Sequence, residues 1–160
     1  MSRLAIKICG LSTPDTVGAA VRAGASHIGF VHFAKSPRHV DAAQIAALAA
    51  IAPAHMEKVG VVVDPTDDLL AELTTSGALT ALQLHGQENP QRAAAIRQRF
   101  DLPVWKAISV KTRADIDAAT AYVGAVDLLL FDAKTPDGAA LPGGMGLRFD
   151  WTLLRGLSSA

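Results

Sequence analysis

Short apolar runs alternate with longer stretches of helical period along the whole chain. The runs are Ile6–Cys9, His27–Phe33, Val59–Val63, Ala81–His85, Pro103–Ile108 and Val126–Phe131, each nearly continuous in hydrophobic residues. Such runs suit strands buried on both faces, as in a parallel sheet. The segments Thr13–Ala23, Asp41–Ile51, Thr66–Thr75, Pro90–Phe100 and Lys111–Tyr122 read as helices. A further helix is predicted from about Phe149-Asp150-Trp151, after a long loop over Ala133–Arg148. Ser12-Thr13-Pro14-Asp15 opens the first helix with a hydroxyl cap and a proline in its first turn, and Gly24 closes it. Six strand–helix units follow one another with no linker, which predicts a single α/β domain over residues 1–160 with right-handed parallel crossovers.

An open doubly wound sheet and a (β/α) barrel both satisfy this pattern. The strand ends favour the barrel. Five of the six runs close on or near Cys9, Asp64, His85, Lys106 or Asp132, and His32 lies near the end of the other. A barrel gathers all such ends at one mouth, whereas an open sheet uses those beside its switch point. Length argues the other way, since eight units usually need at least about 200 residues.

Bulk composition narrows the functional classes. Half of the 160 residues are hydrophobic, and 15 basic side chains balance 15 acidic ones. A neutral chain offers no field for nucleic acid or an anionic membrane, so neither is an expected partner. No run reaches the roughly 18 apolar residues of a membrane span, nor does the start resemble a signal peptide. One cysteine excludes an internal disulfide and fits a reducing compartment. The expectation is a soluble cytoplasmic protein.

That cysteine carries the first candidate chemistry. In a strand, Lys7 and Cys9 share a face while Ile6 and Ile8 take the other. An ammonium beside a thiol favours the thiolate, the form that takes a proton or attacks carbon. Taken alone, Cys9 reads better as a small core residue. Asp132 reads as a helix cap or a partner of Lys134, His85 as a structural histidine, Lys7 as the counter-charge of a buried carboxylate, and Arg38 as a solvated charge. No histidine–carboxylate spacing resembles a metal site.

Several motifs, taken together and in order, resemble the phosphoribosylanthranilate isomerase family. They are Lys7-Ile8-Cys9-Gly10, Gly29-Phe30-Val31-His32-Phe33, Ser36-Pro37-Arg38, Val59-Gly60-Val61-Val62-Val63 and Gln83-Leu84-His85-Gly86. Gly143-Gly144 with Gly146, and Phe149-Asp150-Trp151, complete the set. The resemblance implies a (β/α)8 barrel, of which six of eight units are present. It implies an aldose–ketose type isomerase of tryptophan biosynthesis that performs an Amadori rearrangement on a phosphorylated small molecule and needs no cofactor and no metal. The family's base matches Cys9 and its acid Asp132, while the arginine beside the anthranilate ring matches Arg38. Lys7, His85, Gly143 and Gly144 are the remaining candidates for substrate binding, the glycines in a loop that lies over the site in the family.

Two departures accompany the match. Met145 stands where the family usually has threonine. The family continues with two more strand–helix units whose glycine-rich strand ends bind phosphate, and these 160 residues hold no counterpart. The expectation is therefore a barrel truncated at its C-terminal end, with weak or no turnover as a monomer. Unpaired first and sixth strands would then be open to association with another chain. Two other readings stand beside it: a non-catalytic remnant that binds a partner through those edges, and a different phosphate-binding enzyme on an open sheet. No Gly-x-Gly-x-x-Gly turn after the first strand supports the last.

Overall fold

A computed structural model describes residues 4–136, 143, 146–148 and 150–156. The strands are β1 (Lys7–Cys9), β2 (His27–His32), β3 (Glu57–Val62), β4 (Ala81–Leu84), β5 (Val104–Val110) and β6 (Leu128–Ala133). They form one parallel sheet in the order of the sequence. Helices α1 (Pro14–Arg22), α2 (Ala42–Ala49), α3 (Asp67–Thr75), α4 (Pro90–Phe100) and α5 (Arg113–Ala118) alternate with the strands. Single 3-10 turns follow at Ala119–Tyr122 and Trp151–Leu154. The second of these stands where a longer helix is predicted. The unbroken strand order, with no switch point, excludes the doubly wound alternative.

Helix starts are strongly specified. Thr13 and Asp41 each accept from the backbone N–H of the third residue of the helix they open, and that residue's side chain accepts in turn from the cap's own N–H, a reciprocal capping box. At α5 the Asp115 carboxylate accepts from the backbone N–H groups of Lys111 and Thr112, which holds it below the usual carboxylate range.

Strand alternation divides the sheet into two faces. Ile28, Phe30, Val62, Leu82, Leu84 and Val104 point outward into the helical layer and form the buried core with Val17, Ile45, Leu70 and Ile96. Gly29, Val31, Val61, Gln83, Ala107, Leu130 and Asp132 alternate with them and face the concave side. At β1 the outward residue Ile8 is 40% exposed, because among the described residues no helix covers it. Strands β1 and β6 each pair on one side only among the described residues.

Three polar strand ends do not reach the concave mouth. Strand β5 runs to Val110, two residues past the predicted end, so Lys106 lies mid-strand and opposite in face to Ala107. Its ammonium is buried in an ion pair with Glu88 at 3.0 Å and also donates to the Gly86 carbonyl. Asp64 sits after β3 with φ 45° and accepts from the Gln87 N–H. His32 points outward, its Nδ1 2.9 Å from the Val40 carbonyl. These residues bind loops together rather than line a mouth. Nearby, Tyr122 donates its hydroxyl to the Glu88 carbonyl, and burial pushes that phenol above its ordinary value.

Candidate active site

The concave face holds a cavity of about 340 Å³. Lys7 and Cys9 of β1 and Arg38 of the loop after β2 stand on one side, His85 and Asp132 on the other. Val31, Phe33, Val61, Ala107 and Leu130 make an apolar wall between them. Six of the seven residues predicted for the site thus meet here, the five side chains and Gly143. Gly144 lies outside the described residues, as does Met145, so the lid reading has no structural account beyond Gly143.

Glycines make the room for this grouping. Cys9 and Gly29 are register partners across β1 and β2. A Cβ on Gly29 would stand 2.8 Å from both the Cys9 sulfur and the Lys7 Nζ, so the thiol and the ammonium share the space that this residue leaves open. Both Gly10 and Leu11 donate backbone N–H groups to the Gly29 carbonyl, fixing the turn that follows the thiol. Gly10 has φ 81°, and a Cβ there would strike Arg38, with Cδ at 2.7 Å and Nη1 at 2.8 Å. The guanidinium therefore lies across the residue next to Cys9.

The opposite side is a short polar chain. Asp132 Oδ2 is 3.4 Å from His85 Nε2, with Asp132 about a third exposed and His85 mostly covered. The nitrogen of the Gln83 carboxamide is 3.0 Å from His85 Nδ1. A Cβ on Gly143 would overlap both His85 Nε2 and Asp132 Oδ2, so this backbone passes directly over the pair. The sequence motif contains Gln83, yet its participation was not foreseen. The signal was its spacing, two residues before His85 on a strand and therefore on the same face.

One thiol, two cations and a carboxyl group around an apolar-walled cavity can bind an aromatic anion and move protons at both ends of a small molecule. A family model for N-(5'-phosphoribosyl)anthranilate (PRA) isomerase matches residues 6–160. The chain belongs to the phosphoribosylanthranilate isomerase family. It is 53% identical over 150 residues to the isomerase of Zymomonas mobilis subsp. pomaceae, covering 93% of this chain and 70% of that one. The Chelativorans sp. isomerase is 47% identical over 155 residues, covering 97% and 71%. The solved isomerase of Thermotoga maritima superposes with a TM-score of 0.83 at 30% identity, over 95% of this chain and 70% of that one. The family's TIM-barrel architecture and its isomerase function in tryptophan biosynthesis apply to this chain, whose six units form the corresponding part of the barrel. Among the described residues no helix is long and apolar enough to cross a membrane.

Proposed function

We propose that this chain carries the acid–base machinery for rearranging N-(5-phosphoribosyl)anthranilate to 1-(2-carboxyphenylamino)-1-deoxyribulose 5-phosphate, with Cys9 as base and Asp132 as acid. The observation that carries this reading is the shared cavity: Cys9 and Asp132, 123 positions apart in sequence, line one opening across an apolar wall. A solved family member, aligned over 95% of this chain at 26% identity and a TM-score of 0.79, was crystallised with reduced 1-(o-carboxyphenylamino)-1-deoxyribulose 5-phosphate. That compound resembles the product of the reaction proposed here.

In the first step Asp132 gives its proton to the ribose ring oxygen. The C1–O bond breaks as the amine lone pair forms the C1=N double bond of a Schiff base. In the second step the Cys9 thiolate removes the proton from C2. The C2–H electrons form a C1=C2 bond while the C1=N pair returns to nitrogen, giving an enolamine. Protonation of C1 and loss of the C2 hydroxyl proton then give the ketone. The base must be ionised, and the Lys7 ammonium stands beside it over Gly29. Asp132 must begin protonated to act in this way. Arg38 meets the anthranilate carboxylate with parallel N–H groups, and its flat face suits the ring. Lys7, His85, Gly143 and Gly144 complete the binding surface in this reading.

Turnover of phosphoribosylanthranilate tests it, measured on the chain as it stands and on the chain joined to the remaining part of the Zymomonas relative. The reading predicts turnover in the joined protein that depends on Cys9 and Asp132. A folded joined protein without turnover would overturn it. We also infer that the chain self-associates through the outer edges of β1 and β6, which are unpaired among the described residues. Ile6, Ile8 and Leu128, all partly exposed at those edges, support this.

A further inference from the structure

The Gln83 carboxamide is an unused polar group at the centre of the site. The residue is 4% exposed, and its Oε1 is buried without a hydrogen-bond partner among the described residues. Such an atom is uncommon, because a buried acceptor normally finds a donor. The other end of the amide faces His85 Nδ1 at 3.0 Å, and the far ring nitrogen faces Asp132 at 3.4 Å. Gln83, His85 and Asp132 therefore form one line from the floor of the cavity to its acid.

The two orientations of the amide are not equivalent. If Oε1 faced His85, the ring would carry its proton on Nδ1 and turn a bare lone pair toward the Asp132 oxygens. With the amide nitrogen facing His85, Nδ1 accepts, the proton sits on Nε2, and an N–H meets the carboxylate. Only the second arrangement is attractive once Asp132 has given up its proton, even though it leaves Oε1 unpaired. The unpaired oxygen is the cost of fixing the ring.

We propose that Gln83 is a positioning residue that donates to His85 Nδ1, holds the imidazole in its Nε2–H tautomer and so aims an N–H at the Asp132 carboxylate. The inference rests on reading Asp132 as the acid: after Asp132 has given up its proton, this N–H supports the carboxylate that remains. Lys7, Cys9 and Arg38 face Asp132 across the cavity, and the nearby Lys106 is committed to Glu88. Among the described residues, His85 Nε2 lies 3.4 Å from the acid.

The experiment reads the ring directly and needs no turnover. Nitrogen-15 spectra of the His85 imidazole at about pH 8, above the ordinary range of both groups, report which ring nitrogen is protonated. Carbon-13 spectra of Asp132 report its titration. The intact chain should show the Nε2–H tautomer. Gln83→Met, similar in volume but without a donor, should give a mixture of tautomers and raise the Asp132 midpoint by about one pH unit. In Gln83→Glu, whose carboxylate only accepts, Nδ1 should become protonated, and this variant serves if the methionine form does not fold. An Nδ1–H tautomer in the intact chain overturns the proposal. So does a folded variant in which either the tautomer or the Asp132 midpoint stays unchanged. Failure here with turnover still dependent on Asp132 would leave the proposed function intact, whereas turnover independent of Asp132 would remove that function.

Discussion

The Cys9 sulfur rests against the backbone of Gly29, so closely that a methyl group on Gly29 would stand 2.8 Å from it. The same methyl would press on the Lys7 ammonium, also at 2.8 Å. Lysine has several torsions with which to move aside, but the thiol has one. Gly29→Ala should therefore rotate Cys9 out of its position while leaving the parallel register of β1 and β2 intact. The expected result is a loss of at least about tenfold in turnover, in line with the sensitivity of catalysis to small misplacements. Stability should change by only about 1 kcal/mol or less. Turnover and a urea titration on the same preparation check both halves.

Lys106 and Glu88 should behave in the opposite way. Both side chains are almost fully buried, and Glu88 also accepts from the backbone N–H groups of Asp64 and Gly86. Lys106→Met strands a buried carboxylate, for which the ordinary penalty is about 3–5 kcal/mol. Adding Glu88→Gln should recover part of that loss. Turnover per folded molecule should stay within about threefold, because Lys106 faces the helices and not the cavity. Chemical denaturation of the single and double variants measures the difference.

Much of this division between site and scaffold was legible in the sequence. Near-continuous apolar runs specify a parallel sheet buried on both faces, and period-two alternation puts Lys7 with Cys9 and leaves Ile8 outside. The polar strand ends were less readable. Lys106, Asp64 and His32 look like mouth residues by position, yet β5 is longer than its apolar run and Lys106 takes the other face. Asp64 is drawn into a turn with positive φ. Gln83 is only half legible: its spacing puts it on the face of His85, while its unpaired oxygen and its contact with the ring are tertiary facts. The space left by Gly29 is likewise a tertiary property, since it depends on which strand lies beside it.

Acid should unfold the chain in part through Asp67. Its side chain is hydrogen-bonded to Arg92 and paired with Arg99, and these contacts hold its carboxyl below the ordinary value of 3.8. A carboxyl lowered on folding adds stability above its unfolded value, and that stability disappears as pH falls through the folded value. Asp67→Asn should thus be less stable than the parent at neutral pH, and the gap should close below about pH 4. Thermal melts at intervals across that range test the sign. A gap that widens toward acid would refute it.

The edge strands give a third kind of outcome. If β1 and β6 mediate association, a charge on the outward face of β1 should oppose it. Ile8→Glu is the appropriate change, since Ile8 is exposed and does not line the cavity. Light scattering should report a concentration-dependent oligomer for the parent and mainly monomer for the variant. Equal masses for the two would remove the edges from consideration.

The pairing of a sulfur base with a carboxyl acid is tested most directly by turnover of Cys9→Ala and Asp132→Asn, each made in the chain joined to the remaining part of the Zymomonas relative. Loss of a general acid or base ordinarily removes about 10²–10⁴-fold, so both folded variants should fall by at least about a hundredfold. Turnover within a few-fold of the parent in either variant would contradict the account.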